Sequence, residues 1–327
     1  MRVILNKNSA FIVFSTLLKT YRQHKFPYTT ENLNRLPQRL IPMEEFDPVA
    51  LANFLFFSCL FMRGAIPSAQ AIERLVSLLR KEPTLFDPNY AATLTPEAVD
   101  TKLTACFGRE LPKEHGYGKG WVKNSQILVL FWEGNVLEVF KGVKDGVTLR
   151  KRMMNRNNER LPLAKQGFFG FQEKMSAMLA YFLGDAGLIK PLRISPPIDF
   201  HGLRVILGTE GLLIQGEVAK NATKILSRIG TKLGEEYLQT HPKVNPLHFA
   251  NVLWMLSKYG CRPLSYTMRD VAWQTSPRGI KRYMQGCGAC PVESRCKHYL
   301  LPGRHYVRGE RAKTETRIHL VPRPKPT

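Results

Sequence analysis

Residues 287–296 read Cys287-Gly-Ala-Cys290-Pro-Val-Glu-Ser-Arg-Cys296, and 25 residues separate Cys261 from this segment. Four thiolates are the usual ligands of a [4Fe-4S] cluster or of a structural zinc ion. Zinc ribbons usually contain two short Cys-x-x-Cys knuckles, whereas this chain has one. The spacing therefore favours a cluster held in a small loop, with zinc as the alternative. Buried or disulfide-bonded thiols are a third interpretation, which the small and charged neighbours of these cysteines do not favour.

The chain is long and strongly basic. It has 327 residues, 44% of them hydrophobic, and a formal net charge of +22. This length can bury a large core, and the charge suits a polyanion, with nucleic acid as the first candidate and a membrane surface as the second. The apolar run 9–18 is too short to span a bilayer, so we expect a buried helix or strand there and no membrane segment. Six cysteines in a chain of this length do not form a secreted disulfide framework, so we expect a reducing, cytoplasmic compartment.

Helix signals dominate the rest of the chain and strand alternation is scarce, so the predicted fold class is mainly α. Asp47 followed by Pro48 is typical of a helix start, and Thr95 followed by Pro96 is another. Gly134 weakens the prediction of a continuous helix around it. The helices are predicted over residues 49–62, 68–81, from 95 onward, 123–139, 175–183, 200–207, 218–233 and 246–259.

Two further elements precede the cysteines. Gly167 and Gly170 form a turn that opens an apolar helix, with Lys174 in its first turn. Further along, Pro196 and Pro197 end the preceding secondary-structure element, and Asp199 is placed to cap the next helix. Each element also has a plain structural interpretation, because Asp199 can be only a helix cap and Lys174 only a solvated charge.

Taken together, these elements resemble the helix-hairpin-helix (HhH-GPD) DNA glycosylase superfamily of the endonuclease III type, over roughly residues 46–300. The resemblance implies a two-lobed helical fold with a C-terminal [4Fe-4S] loop. It implies that Asp199 and Lys174 are the catalytic residues. The residues that it places against DNA are Arg63, Gly64, Gly170, Lys281 and Arg282. The residues that it places on the metal are Cys261, Cys287, Cys290 and Cys296.

The predicted organisation follows from the same resemblance. Residues 1–45 are an N-terminal extension and residues 46–245 are the glycosylase-like body. Residues 246–302 contain the last helix and the cysteine loop, and residues 303–327 are a basic flexible tail. We expect a monomer.

Several departures separate the chain from the repair enzymes of this superfamily. The second hairpin glycine is missing after Gly170, the interval between Cys261 and Cys287 is long, and Arg63 stands where repair enzymes often have Gln. The pattern looks closest to the phage thymidine-hypermodification branch, the α-glutamyl/putrescinyl thymine pyrophosphorylases or amino acid:DNA transferases. That branch replaces a pyrophosphate on 5-hydroxymethyluracil in DNA with an amine, which implies double-stranded DNA and a small amine or amino acid as partners, in a host cell's cytoplasm.

Two other functions remain as alternatives. The first is a base-excision glycosylase/AP lyase of the endonuclease III type, in which Lys174 attacks the sugar. The second is a DNA-binding protein that has kept the fold without catalysis. The presence of Asp199 does not favour the second.

Overall fold

A computed structural model describes residues 1–62, 66–154, 156, 160–216, 222–261, 287–304 and 316–322. The described part is mainly helical, in agreement with the predicted class. The chain divides into two compact units. Unit 1 contains residues 1–33 and 195–327, and unit 2 contains residues 34–194.

The elements are numbered in chain order. The helices are α1 (Lys7–Arg22), α2 (Thr30–Asn34), α3 (Pro48–Cys59), α4 (Ser68–Lys81), α5 (Pro88–Ala91), α6 (Pro96–Phe107), α7 (Tyr117–Trp132), α8 (Val136–Phe140), α9 (Gly146–Met153), α10 (Leu163–Gln166), α11 (Glu173–Asp185), α12 (Phe200–Gly208), α13 (Ala222–Thr240) and α14 (Pro246–Met255). The strands are β1 (Arg2–Leu5), β2 (Leu212–Gln215), β3 (His298–Arg304) and β4 (Thr316–Pro322).

Unit 1 joins the two ends of the chain. Strand β1 pairs antiparallel with β2, and β3 pairs antiparallel with β4. Helix α1 packs through Phe14, whose ring centroid lies 5.2 Å from that of Tyr237 and 4.9 Å from that of Phe249. These aromatic contacts, together with the β1–β2 pairing, make α1 and β1 part of unit 1. The run 9–18 is helical, one of the two forms predicted for it.

Unit 2 is built around α3, which is apolar on all sides and accordingly buried. Its rings stack on those of later elements. Phe57 lies 4.3 Å from Trp121 between ring centroids, and Phe56 lies 4.6 Å from Phe171. The Trp121 indole also donates to the Leu85 carbonyl at 2.9 Å, so its one polar group is satisfied inside the core.

The helix starts that the caps predict are confirmed. Asp47 Oδ1 accepts the amides of Val49 and Ala50, and Thr95 Oγ1 accepts the amide of Ala98. The helices predicted over 68–81, 175–183 and 200–207 correspond to α4, α11 and α12. Helix α14 ends at Met255 and is followed directly by a π-helical turn, Leu256–Gly260.

Three helix predictions are wrong in extent. The helix predicted over 49–62 ends at Cys59. The helix predicted over 123–139 is two helices, because Glu133 and Gly134 have positive φ angles of 55° and 68° and end α7. Asn135 then caps α8 through its side chain. Residues 218–221 of the helix predicted over 218–233 lie outside the described residues. The helix runs on to Thr240, because Tyr237 and Leu238 continue its buried face.

The units divide the chain at positions other than the predicted boundaries at 45 and 245. The reason is long-range packing, since residues 1–33 pack with the segment after 195. Part of the tail 303–327, predicted as a flexible arm, is strand β4.

Candidate functional site

Asp199 stands at the start of α12 in unit 1. Its Oδ1 accepts the backbone amides of His201 at 2.9 Å and Gly202 at 3.3 Å, which makes it the N-cap of the helix. The residue before it is also fixed, because the amide of Ile198 donates to Thr231 Oγ1 of α13 at 2.9 Å. The backbone on both sides therefore holds the carboxyl group at the amino end of α12.

The next turns of α12 contain a buried polar group. Arg204 is 4% exposed, and its guanidinium donates to Oγ of the fully buried Ser257 and lies 4.7 Å from the Phe200 ring centroid. His201 Nδ1 lies 2.9 Å from the same Ser257 oxygen. Ser257 lies in the π-helical turn that leads to Cys261. The helix that begins with Asp199 is thus connected by hydrogen bonds to the turn that places the first cysteine.

The three later cysteines form a compact loop. The amide of Cys290 donates to the Cys287 carbonyl at 2.9 Å, and the amide of Cys296 donates to the Val292 and Glu293 carbonyls. The amide of Lys297 then donates to the carbonyl of Gly208, at the end of α12, at 2.7 Å. One helix therefore has Asp199 at its start and is bonded to the cysteine loop at its end.

The thiols act on one another electrostatically. Burial raises the pKa of Cys261 far above its ordinary value, and negative charge on Cys290, Cys296 or Cys287 raises it further, while Arg204 opposes the rise. Burial likewise raises the pKa of Cys290 to about 12, with Cys296 and Cys287 contributing. Both pKa shifts mean that these thiols are neutral at physiological pH unless a cation compensates their charge.

The four thiols have the donor chemistry that a thiolate-bound metal group requires. All six cysteines lie in the described ranges and none forms a disulfide. Within those ranges, however, no group of three or more Cys, His, Asp or Glu side chains is arranged to hold a metal ion. The thiols of Cys261, Cys287, Cys290 and Cys296 are near enough to influence one another, and ligation would require them to close around the metal.

A small polar cavity lies beside the cysteine loop. It has a volume of about 360 Å³ and is lined by Ser9, Thr209, Glu210, Ser294, Arg295 and Lys297. Ser9 lies in the first turn of α1, where Asn6 caps the helix. Arg295 and Lys297 attract an anionic group such as a phosphate, while the carboxylate of Glu210 in the same lining opposes it.

The hairpin candidates belong to unit 2. Gly170 has a φ of 79°, a conformation that favours glycine, and Lys174 is exposed in the first turn of α11. The turn is fixed by the buried Asn124, whose amide group bonds both the carbonyl and the N–H of Phe169, at 3.0 and 2.6 Å. The aromatic rings of Phe168 and Phe171 anchor the same turn on Phe56 of α3.

The predicted site residues therefore fall into three groups. Asp199 and the four cysteines lie in unit 1, and Gly170 and Lys174 lie in unit 2. Arg63, Gly64, Lys281 and Arg282 lie outside the described residues.

Sequence reasoning missed three residues of unit 1. Arg204 was detectable, because an arginine interrupts the apolar run of α12. Ser257 gave no signal, since its role depends on partners more than 50 residues away, as its 53-residue separation from Arg204 shows. Lys258 is half-buried, with its Nζ 4.4 Å from the Trp254 ring centroid, and burial lowers its pKa.

Comparison with protein-family models and with curated proteins gives no significant match. Among the helices in the described part of the chain, none has the length and apolar character needed to cross a membrane.

Proposed function

We propose that this protein modifies bases in DNA and belongs to the HhH-GPD superfamily, in its thymidine-hypermodification branch. The reaction exchanges a pyrophosphate on 5-hydroxymethyluracil in DNA for an amine or amino acid. The observation that supports the proposal is the organisation of α12. Asp199 caps its start, and Lys297, directly after the last cysteine, bonds its end.

The basic surface provides the first requirement, which is to hold DNA. Arg295 and Lys297 line the 360 Å³ cavity beside the cysteine loop and are exposed. Contacts of such residues with phosphates hold a duplex without reading its sequence. A base inside a duplex is out of reach of a side chain, so the target nucleotide must leave the stack before it reacts.

The exchange requires one carbon–nitrogen bond to form and one carbon–oxygen bond to break. The amine nitrogen attacks the C5 methylene carbon of the base, and the pyrophosphate leaves with the electrons of the carbon–oxygen bond. The carboxylate of Asp199 accepts the proton that the amine loses. A [4Fe-4S] cluster bound by the four thiolates is structural in this proposal and holds the basic loop together.

The test is mass spectrometry of nucleosides from DNA treated with the full chain. Duplexes carrying pyrophosphorylated 5-hydroxymethyluracil are incubated with a mixture of amines and amino acids, beside duplexes of unmodified thymine. A mass gain that corresponds to one amine on the first substrate, and no change on the second, is the expected result. An unchanged first substrate contradicts the proposal.

The second candidate is a glycosylase/AP lyase, and the exposure of Lys174 in the first turn of α11 favours it. A lysine that attacks C1′ forms a Schiff base, which borohydride reduces to a stable link between protein and DNA. Covalent trapping on abasic or oxidised-pyrimidine DNA, abolished in Lys174→Ala and kept in Lys165→Ala, would replace the transferase proposal. The exposed Lys165 of α10 is a matched control because it lies on the other side of the same turn.

A further inference from the structure

A lysine on the π-helical turn of unit 1 is held between two aromatic rings. Lys258 is half-buried, and its Nζ lies 4.4 Å from the ring centroid of Trp254 and 5.5 Å from that of Tyr259. The two rings are perpendicular, with their centroids 6.0 Å apart. Both distances are within the range at which an aromatic ring attracts a cation, so the position of the ammonium group is fixed.

No acid neutralises the charge of Lys258. Within the described part of the chain no carboxylate forms an ion pair with it, whereas Lys7 of α1 pairs with Glu236 at 2.6 Å. The neighbouring Ser257 accepts a hydrogen bond from the buried Arg204, which brings a second positive charge to the same turn. The turn therefore attracts negative charge.

Burial has removed part of the water from the ammonium group. The pKa of Lys258 is lowered, because the charged form loses hydration that the neutral form does not need. The two rings favour the charged form, but they supply no acceptor atom for its N–H groups. An anion with several oxygen atoms would supply those acceptors and stabilise the charge, so the position suits an anionic ligand.

The same rings connect Lys258 to the start of α12. The ring centroid of His201 lies 6.1 Å from that of Trp254, and the amide of His201 donates to Asp199 Oδ1 at 2.9 Å. The carboxylate of Asp199 opposes an anion here. It accepts two backbone amides at the start of the helix, however, which offset part of its charge. Lys258 therefore belongs to the same region of unit 1 as the proposed proton acceptor.

The proposed function brings phosphate groups to this region from two sources. A duplex carries a backbone phosphate on each side of the target nucleotide, and the exchange releases a pyrophosphate. We propose that Lys258 binds a phosphate group beside Asp199 and so positions the substrate. The source of the phosphate rests on the proposed function, whereas the binding itself does not. Lys174, the lysine that the resemblance selects, lies in unit 2.

The first measurement is calorimetry of inorganic pyrophosphate with the full chain in the absence of DNA. Lys258→Gln should weaken binding by about tenfold or more, since it removes one charge-assisted contact. Lys258→Arg keeps the charge and should stay within about threefold of the wild-type affinity. Lys243→Gln is the matched control, because this exposed lysine of unit 1 is removed from the sequence without touching the π-helical turn.

The second measurement is the salt dependence of duplex binding by the same variants. If Lys258 contacts a backbone phosphate, Lys258→Gln should reduce the slope of the logarithm of the binding constant against the logarithm of salt concentration by about 0.9. A loss of pyrophosphate binding with an unchanged slope would assign the leaving group instead. If Lys258→Gln changes neither measurement relative to Lys243→Gln, the inference is overturned.

The wild-type protein provides a third measurement that does not depend on how a variant folds. The NMR signals of the Lys258 side chain, assigned from their absence in Lys258→Arg, should be shifted by the ring current of Trp254. Added pyrophosphate or duplex should move them further than the signals of Lys243, and an equal response of the two lysines would overturn the inference. None of these measurements requires the amine exchange, so a failure of that reaction contradicts only the proposed function.

Discussion

At the scale of single residues, Asp199 has two roles that one substitution separates. It caps α12 through Oδ1, and it is the proposed acceptor of a proton. Asparagine keeps a side-chain oxygen that can accept the amides at the helix start, but it has no carboxylate to accept a proton.

Asp199→Asn is therefore expected to keep the fold and abolish the reaction. Asn and Asp are nearly equal as N-caps, so the free energy of unfolding should change by less than about 0.5 kcal/mol in urea titrations. Base modification should fall by about 100-fold or more, the usual contribution of a positioned acid or base. Asp47→Asn, which alters an N-cap of the same geometry in unit 2, is the control and should keep full activity. An equal loss of activity in both variants would mean that Asp199 acts only as a helix cap.

At the scale of elements, the break between α7 and α8 depends on Gly134. Its φ is 68°, and a Cβ there would lie 2.9 Å from Nδ2 of Asn89. Asn89 cannot move without cost, because the same Nδ2 donates to Asp87 Oδ1 at 3.1 Å.

Gly134→Ala is expected to destabilise unit 2 by more than the backbone strain alone. Gly142→Ala isolates that strain, since Gly142 has a φ of 70° and no neighbour within 4 Å of a Cβ. The left-handed conformation should cost about 1–2 kcal/mol in either variant, and the contact with Asn89 should add to the cost only at position 134. Urea denaturation of both variants measures the difference. Equal destabilisation would mean that Asn89 turns away freely.

The cysteine loop is the second element that a substitution can test. Purified anaerobically, the protein should be brown and contain about four irons per chain. Cys290→Ala should abolish the colour and the iron, because it removes one of four ligands. Cys106→Ala should retain both, since Cys106 lies in α6 of unit 2 and contacts the Arg74 carbonyl. A colourless wild-type protein with one zinc ion per chain would contradict the cluster and assign zinc to these cysteines.

At the scale of the whole molecule, the net charge of +22 should govern the affinity for duplex DNA. Bound lysines and arginines release counterions, so the logarithm of the binding constant should fall linearly with the logarithm of salt concentration. The double variant Arg295→Gln, Lys297→Gln should reduce the slope by about 0.9 for each phosphate that the protein no longer neutralises. Lys25→Gln with Lys243→Gln removes the same charge from exposed positions of unit 1 that do not line the small cavity. The slopes are measured by fluorescence anisotropy titrations. If both double variants change the salt dependence equally, the small cavity is not a phosphate site.

Local signals in the sequence were sufficient for the helical class and for the starts of α3, α6 and α12. Asp47, Thr95 and Asp199 each bond an amide two or three residues ahead, so the sequence alone contains both partners. The sequence predicted a weak point at Gly134 but not the end of α7 there. A glycine weakens a helix, but it does not by itself show that the residue before it also adopts a positive φ.

The partners of the candidate site were decided only by the tertiary structure. Ser257 meets Arg204 across 53 residues and Asn124 meets Phe169 across 45, and the first helix packs with Tyr237. No local pattern selects such partners, because many buried side chains of similar size compete for each position and packing decides among them. The sequence by itself therefore determined the helical class, the caps at Asp47, Thr95 and Asp199, and the cysteine spacing. The tertiary structure decided that Asp199 and the cysteine loop lie at the two ends of one helix.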